Sequence, residues 1–118
     1  MTTIAQKVTV FCRLDFEGIH NWPECPFEEV AYLRVPHRHV FKIEAHKIVT
    51  HSDRDVEFIM LKHKIQEYLN ETYPGGNLGK TSCEMLADEL SIVFNLCKCS
   101  VSEDGENGAT VETTEVRG

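Results

Sequence analysis

Lys7-Val8-Thr9-Val10-Phe11-Cys12-Arg13-Leu14-Asp15-Phe16 alternates, with Val8, Val10, Cys12, Leu14 and Phe16 on one side and Thr9, Phe11, Arg13 and Asp15 on the other. A period of two is that of a strand with one buried face. The same pattern returns from Arg38 to about Thr50, where Phe41, Ile43 and Ala45 alternate with Lys42, Glu44 and His46. This second run exceeds the usual strand length of about five or six residues. A long, bent or bulged ribbon pairing with the first strand is therefore expected. Between the two, Gly18, Pro23, Pro26 and the acidic pair Glu28-Glu29 mark a loop.

Beyond Thr50 the period changes. Ser52 or Asp53 can cap a helix that runs to Glu71, since Phe58, Leu61, Ile65, Tyr68 and Leu69 recur at helical spacing. Pro74-Gly75-Gly76 ends it. A second helix opens at Thr81 or Ser82, where Ser82 can cap with Glu84 in the first turn, and its apolar face is Met85, Leu86, Leu90, Val93 and Phe94. Cys97 to Glu103 reads as a short strand, Asp104-Gly105-Glu106-Asn107-Gly108 as a hairpin turn, and Ala109 to Val116 as the return strand. The order β-β-α-α-β-β predicts an α+β fold, a four-stranded antiparallel sheet with two helices on one face. No repeat is visible, and 1–118 reads as one domain with 113–118 as a candidate flexible tail.

Composition narrows the function classes. A chain of 118 residues has room for a single modest core. Twelve Lys and Arg against nineteen Asp and Glu give a net charge of −7, which argues against nucleic acid as a partner, because duplex binding rests on clustered cations. No run of about eighteen apolar residues occurs, so no membrane span is expected. Met1 to Lys7 lacks a basic patch followed by an apolar stretch, and the expected setting is soluble and cytoplasmic. Five cysteines, an odd number, read as reduced and mostly buried thiols rather than a disulfide framework.

The sharpest chemical feature is Pro36-His37-Arg38-His39. Two residues apart on a strand, His37 and His39 project to one face, although such a pair also arises by coincidence on strands. His20, just past the first strand, could be brought to the same spot by a hairpin partner. Three imidazoles with an open fourth position are the ligand set of a catalytic zinc. His46, His51 and His63 are less persuasive, and His63 lies on the polar side of its helix. Gly75-Gly76-Asn77-Leu78-Gly79-Lys80-Thr81 superficially suggests a phosphate-binding loop, but Pro74 occupies the place of its first glycine and the segment follows a helix, not a strand. It reads as a helix–helix connection. Glu103, near the end of its strand, could take two parallel hydrogen bonds from a guanidine-like edge of a pterin or guanine. Spacing alone favours a solvated acid at the strand end.

In sequence order, Phe16-Glu17-Gly18-Ile19-His20, Pro36-His37-Arg38-His39-Val40-Phe41, Val56-Glu57-Phe58-Ile59-Met60-Leu61-Lys62, Ser82-Cys83-Glu84-Met85-Leu86-Ala87 and Val101-Ser102-Glu103 follow one another. In these segments the chain resembles the 6-pyruvoyltetrahydropterin synthase and 6-carboxytetrahydropterin synthase superfamily, small proteins of the tunnelling fold. Arg38 departs from the glycine at the centre of the family's H-G-H. The resemblance implies that His20, His37 and His39 hold Zn2+, and that Glu103 anchors the amino-pyrimidinone edge of a pterin- or purine-like ligand. Backbone groups near Ser82 and Cys83 would assist. It also implies a homo-oligomer, a hexamer of two trimers, with sheets joined into a barrel and ligand sites at subunit interfaces.

The family's catalytic groups are not matched. Leu33 stands where the resemblance places a basic cysteine, and Asn70-Glu71 where it places an Asp-His pair. Cys25, Glu28, Glu29 and Glu71 are the remaining candidates for a base. The activity implied is that of a zinc-dependent carbon–oxygen lyase acting on a substrate like dihydroneopterin triphosphate, as in biopterin or queuosine synthesis. The alternative is a non-catalytic protein that binds a pterin- or purine-like ligand on the same scaffold.

Overall fold

The two alternating stretches form strands β1 (Val8–His20) and β2 (His37–Val49), paired antiparallel from Val8 opposite Val49 to His20 opposite His37. The structure is a computed structural model and describes residues 6–113. β1 runs past Phe16, through Gly18, to end on His20. A Cβ on Gly18 would stand 2.8 Å from Leu78 Cδ1 and 2.9 Å from Phe41 Cε2, so the bare backbone lets both side chains close over the strand.

Helix α1 (Phe58–Thr72) begins later than the capping signals at Ser52 and Asp53 predict; Glu57 caps it instead, accepting from Ile59 N at 3.0 Å. The reason lies in Asp55, whose carboxylate accepts from Thr50 N at 2.7 Å and Thr50 Oγ1 at 2.9 Å. Those bonds close residues 50–55 into a turn and hold the Asp55 carboxyl below its usual range. Past Pro74-Gly75-Gly76 comes β3 (Asn77–Gly79), then α2 (Cys83–Phe94), capped by Ser82 as expected with Met85 N donating to its Oγ. β4 (Lys98–Glu103) and β5 (Asn107–Glu112) form the last hairpin. β5 starts two residues before the expected Ala109, and 114–118, including most of the expected tail, lie outside the described residues.

The sheet has five strands in the order β3-β1-β2-β4-β5. This corrects the expected four-stranded antiparallel sheet: β3 pairs parallel with the end of β1, Ile19 opposite Asn77 and His20 opposite Gly79, so the sheet is mixed. A strand of three residues has no alternation to read. What admits it is Gly76, where a Cβ would fall 2.3 Å from Glu17 O. The expected loop between β1 and β2 also carries a 3-10 helix, Glu28–Arg34, kinked at Val30.

One face of the sheet supplies Cys12, Leu14, Phe16, Phe41, Ile43, Ala45, Cys99 and Val101 to a core shared with Leu61, Ile65 and Leu69 of α1 and Leu86, Ala87 and Leu90 of α2. Each such aliphatic or aromatic side chain contributes roughly 1.5–3 kcal/mol by leaving water. The other face is charged and paired across strands, Arg13 with Glu44 at 3.2 Å and Lys42 with Asp15 at 3.4 Å. No helix among the described residues is long and apolar enough to cross a membrane.

Candidate metal centre

The core face of the sheet does not end in apolar residues. Its alternate positions continue to His20 at the end of β1, His37 and His39 at the start of β2, and Glu103 at the end of β4. The period that buries Leu14, Phe41 and Val101 thus gathers four polar side chains at one end of the sheet. One ligand atom from each lies within 4.8 Å of all the others. Ligands about 2.0–2.2 Å from a tetrahedral ion stand roughly 3.3 Å apart, so small rotations would close the group around a metal. Phe41 is the floor, fully buried, with its ring edge-on to His20 and His39 at centroid distances of 5.0 and 5.9 Å.

Hydrogen bonds fix which nitrogen of each ring is available. His20 Nδ1 is 2.9 Å from Thr81 O, and His37 Nδ1 is 2.8 Å from Val35 O. A carbonyl only accepts, so Nδ1 carries the proton in both rings and, in the neutral ring, Nε2 presents a lone pair. His39 Nδ1 lies 2.7 Å from Asp104 Oδ2, which selects the same tautomer. A second hydrogen-bond partner on Nδ1 is the usual arrangement for metal-bound histidine. Nε2 of His20 and of His37 is buried with no partner in hydrogen-bond geometry, although Glu103 Oε2 stands 2.8 Å from the former, out of line with any N–H. A buried polar atom left unsatisfied costs about 1–3 kcal/mol, and a cation would satisfy both. The donor set therefore fits a metal ion, and His20, His37, His39 and Glu103 could hold one.

Asp104 is tied on two sides. Its Oδ1 accepts from Val40 N at 2.9 Å, and its own N–H donates to Val40 O at 2.8 Å. The bond from Val40 and then that from His39 hold its carboxyl below the ordinary range. The residue sits in the left-handed region, φ 58°, at the turn between β4 and β5. Sequence reasoning missed it, because no spacing links an acid in one hairpin to a histidine on a distant strand.

The centre opens into a cavity of about 530 Å³ bounded by His20, His37, Glu103, Leu33, Trp22 and the first turn of α2. Ser82 and Cys83 lie on that turn, Ser82 Oγ engaged as the helix cap. Burial, then the charges of Glu103 and Glu84, push the Cys83 thiol up to about 12, so it is a neutral thiol at physiological pH. The candidate bases fall elsewhere. Cys25 is buried with Sγ against Phe27 O and Val30 O, at 3.7 and 3.8 Å. Glu28 pairs with Arg34 at 3.0 Å, and Glu29 and Glu71 are exposed. None of these four bounds the cavity, whereas Leu33 does. Asn70 borders a separate groove with Asp15, Glu17 and Arg38. Of the other histidines, His46 stacks on Phe11 across the charged face, His51 is 3.9 Å from Asp55, and His63 is exposed on α1.

No known family model matches the chain, and a comparison with curated proteins returns no match. The chemistry of the site is thus argued from its own atoms. Three imidazoles and a carboxylate beside a cavity could hold a divalent ion and present it to a small molecule's oxygen.

Proposed function

We propose that the protein binds zinc through His20, His37 and His39 and acts on a pterin-like substrate as a carbon–oxygen lyase of the 6-pyruvoyl- or 6-carboxytetrahydropterin synthase type. The observation that carries the metal is the pair of buried Nε2 atoms that no hydrogen bond satisfies, each with its Nδ1–H committed to a carbonyl. Neutral imidazole is a preferred zinc donor, and a bound zinc would polarise a carbonyl or hydroxyl of the substrate side chain. The ligand class rests on the sequence resemblance. Two features support it: a cavity within the usual range of about 300–1,000 Å³ for small-molecule sites, and a carboxylate, Glu103, able to accept paired hydrogen bonds from a guanidine-like edge. Trp22, half exposed at the cavity wall, offers a flat apolar surface to such a ring.

In this reading the working unit is a cytoplasmic homo-oligomer, a hexamer. Among the described residues the β1 edge from Val8 to Gly18 has no strand partner, and neither does the outer edge of β5. β5 runs opposite to β1, so the two edges of neighbouring subunits could pair antiparallel.

A second reading is favoured by one specific observation. Leu33 lines the cavity where the resemblance calls for a base, and Cys25, Glu28, Glu29 and Glu71 stand away from it. A binding protein without turnover, on the same scaffold, accounts for that pattern. Trp22 is the only tryptophan, so its fluorescence reports on the cavity directly. Zinc-loaded protein is incubated with dihydroneopterin triphosphate, its fluorescence followed and its products separated by chromatography. A new tetrahydropterin product supports the lyase; quenching without product supports the binder; neither overturns the pterin assignment.

A further inference from the structure

Glu103 stands among the ring nitrogens of the metal centre rather than beyond them. Its Oε2 is 2.8 Å from His20 Nε2, and its Oε1 is 3.7 Å from His39 Nε2. The nearer contact is no hydrogen bond: His20 Nε2 has no partner in hydrogen-bond geometry. With His20 Nδ1–H spent on Thr81 O, the neutral ring leaves only a lone pair at Nε2, 2.8 Å from a carboxylate oxygen that also carries only lone pairs. Two acceptors at that spacing repel unless positive charge lies between them. Imidazole nitrogen and carboxylate oxygen stand this close as an imidazolium–carboxylate pair or as two ligands of one cation, and with no N–H aimed at the oxygen the second arrangement accounts for the contact.

We propose that Glu103 is a fourth protein ligand to the metal, so that the resting centre is a closed shell of three imidazoles and one carboxylate, and that an incoming ligand takes the position Glu103 vacates as it turns to bind that ligand. The proposal rests on the reading of His20, His37 and His39 as metal ligands. It assigns one carboxylate two successive partners. The side chain has the freedom for this, being 26% exposed and bordering the cavity. The neighbouring Asp104 holds His39 in place meanwhile through the 2.7 Å bond. A ligand that offers both a guanidine-like edge and a metal-binding oxygen would replace each bond it breaks. One that offers only an oxygen would have to compete with the carboxylate.

The test uses the full chain loaded with Co2+, whose visible absorption reports its ligands, together with zinc affinity from competition against a chromophoric chelator. Wild-type protein, its shell closed, should keep its cobalt spectrum when azide is added. Glu103→Gln should bind zinc about 10–100-fold more weakly or worse, and its cobalt spectrum should change with azide as the anion enters the vacated position. A wild-type spectrum that shifts readily with azide overturns the proposal, and so does a Glu103→Gln variant of unchanged zinc affinity. His37→Ala separates the two levels of the argument. Loss of the metal in that variant upholds the histidine centre whatever Glu103 does, and retention of wild-type affinity removes the centre itself.

Discussion

Replacing His37 by phenylalanine tests the energetics of the metal-free centre. Without an ion, His37 Nε2 is a buried acceptor with no partner, a penalty of about 1–3 kcal/mol. A phenyl ring of similar shape removes the penalty. The bond it gives up, Nδ1–H to Val35 O, is cheap to lose, because Val35 is 63% exposed and water can replace the donor. His37→Phe should therefore be as stable as the metal-free wild type or more so, with Tm equal to about 8 °C higher, at roughly 4 °C per kcal/mol. The response to metal should go the other way. Zinc at a hundred times its Kd stabilises the wild type by about 2.7 kcal/mol, a rise in Tm of about 10 °C, and this rise should vanish in the variant. Thermal unfolding of both proteins, with excess chelator and with zinc, gives all four values. The reasoning is refuted if the chelated variant melts well below the chelated wild type, or if zinc raises the Tm of both alike.

Asp104→Gly keeps the left-handed backbone, which glycine adopts freely, but releases His39; zinc affinity measured by chelator competition should fall about 10–100-fold with little change in Tm. Gly76→Ala drives a Cβ to 2.3 Å from Glu17 O at φ 76°, whereas Gly75→Ala, at φ 68°, meets nothing. Denaturant titration should show the first losing about 3 kcal/mol or more and the second about 1 kcal/mol. Burial pushes the thiols of Cys83 and Cys99, and the phenol of Tyr73 with help from Glu89, up to about 12. These groups hold their protons more tightly folded than unfolded, so their contribution is full below pH 9 and is lost as pH climbs from 9 towards 12. Tm measured across that range should decline steadily, and a thiol reagent at neutral pH should modify Cys97, the cysteine that is not buried, ahead of the rest.

Where the sequence carried a period, the fold was legible in it. Leu14, Phe41 and Ile43 announce β1 and β2 through alternation, and Leu61, Ile65 and Leu69 announce α1 through helical spacing, because those repeats are imposed by burying one face. The start of α1 was misplaced because Asp55 spends its carboxylate on Thr50 rather than letting Ser52 or Asp53 begin a helix. β3 escaped notice because pairing with His20 depends on backbone approach at Gly76, which no side chain signals. In the site, the convergence of His37 and His39 follows from period two, and the place of His20 from the pairing of two strands. Asp104 and the tautomers depend on contacts between distant segments, and only coordinates disclose those.

The connection between β1 and β2 spans residues 21–36, far too long for a tight turn to set the alignment of the two strands. A slip of a single residue would send His37 and His39 to the charged face and bring Arg38 and Val40 inward. Only the native alignment sets His20 opposite His37 with all three rings on the core side. An ion that requires those three nitrogens together therefore binds correctly zipped hairpins and no others. Its binding free energy would then go to choosing the fold, so a metal held by these three histidines would proofread strand pairing.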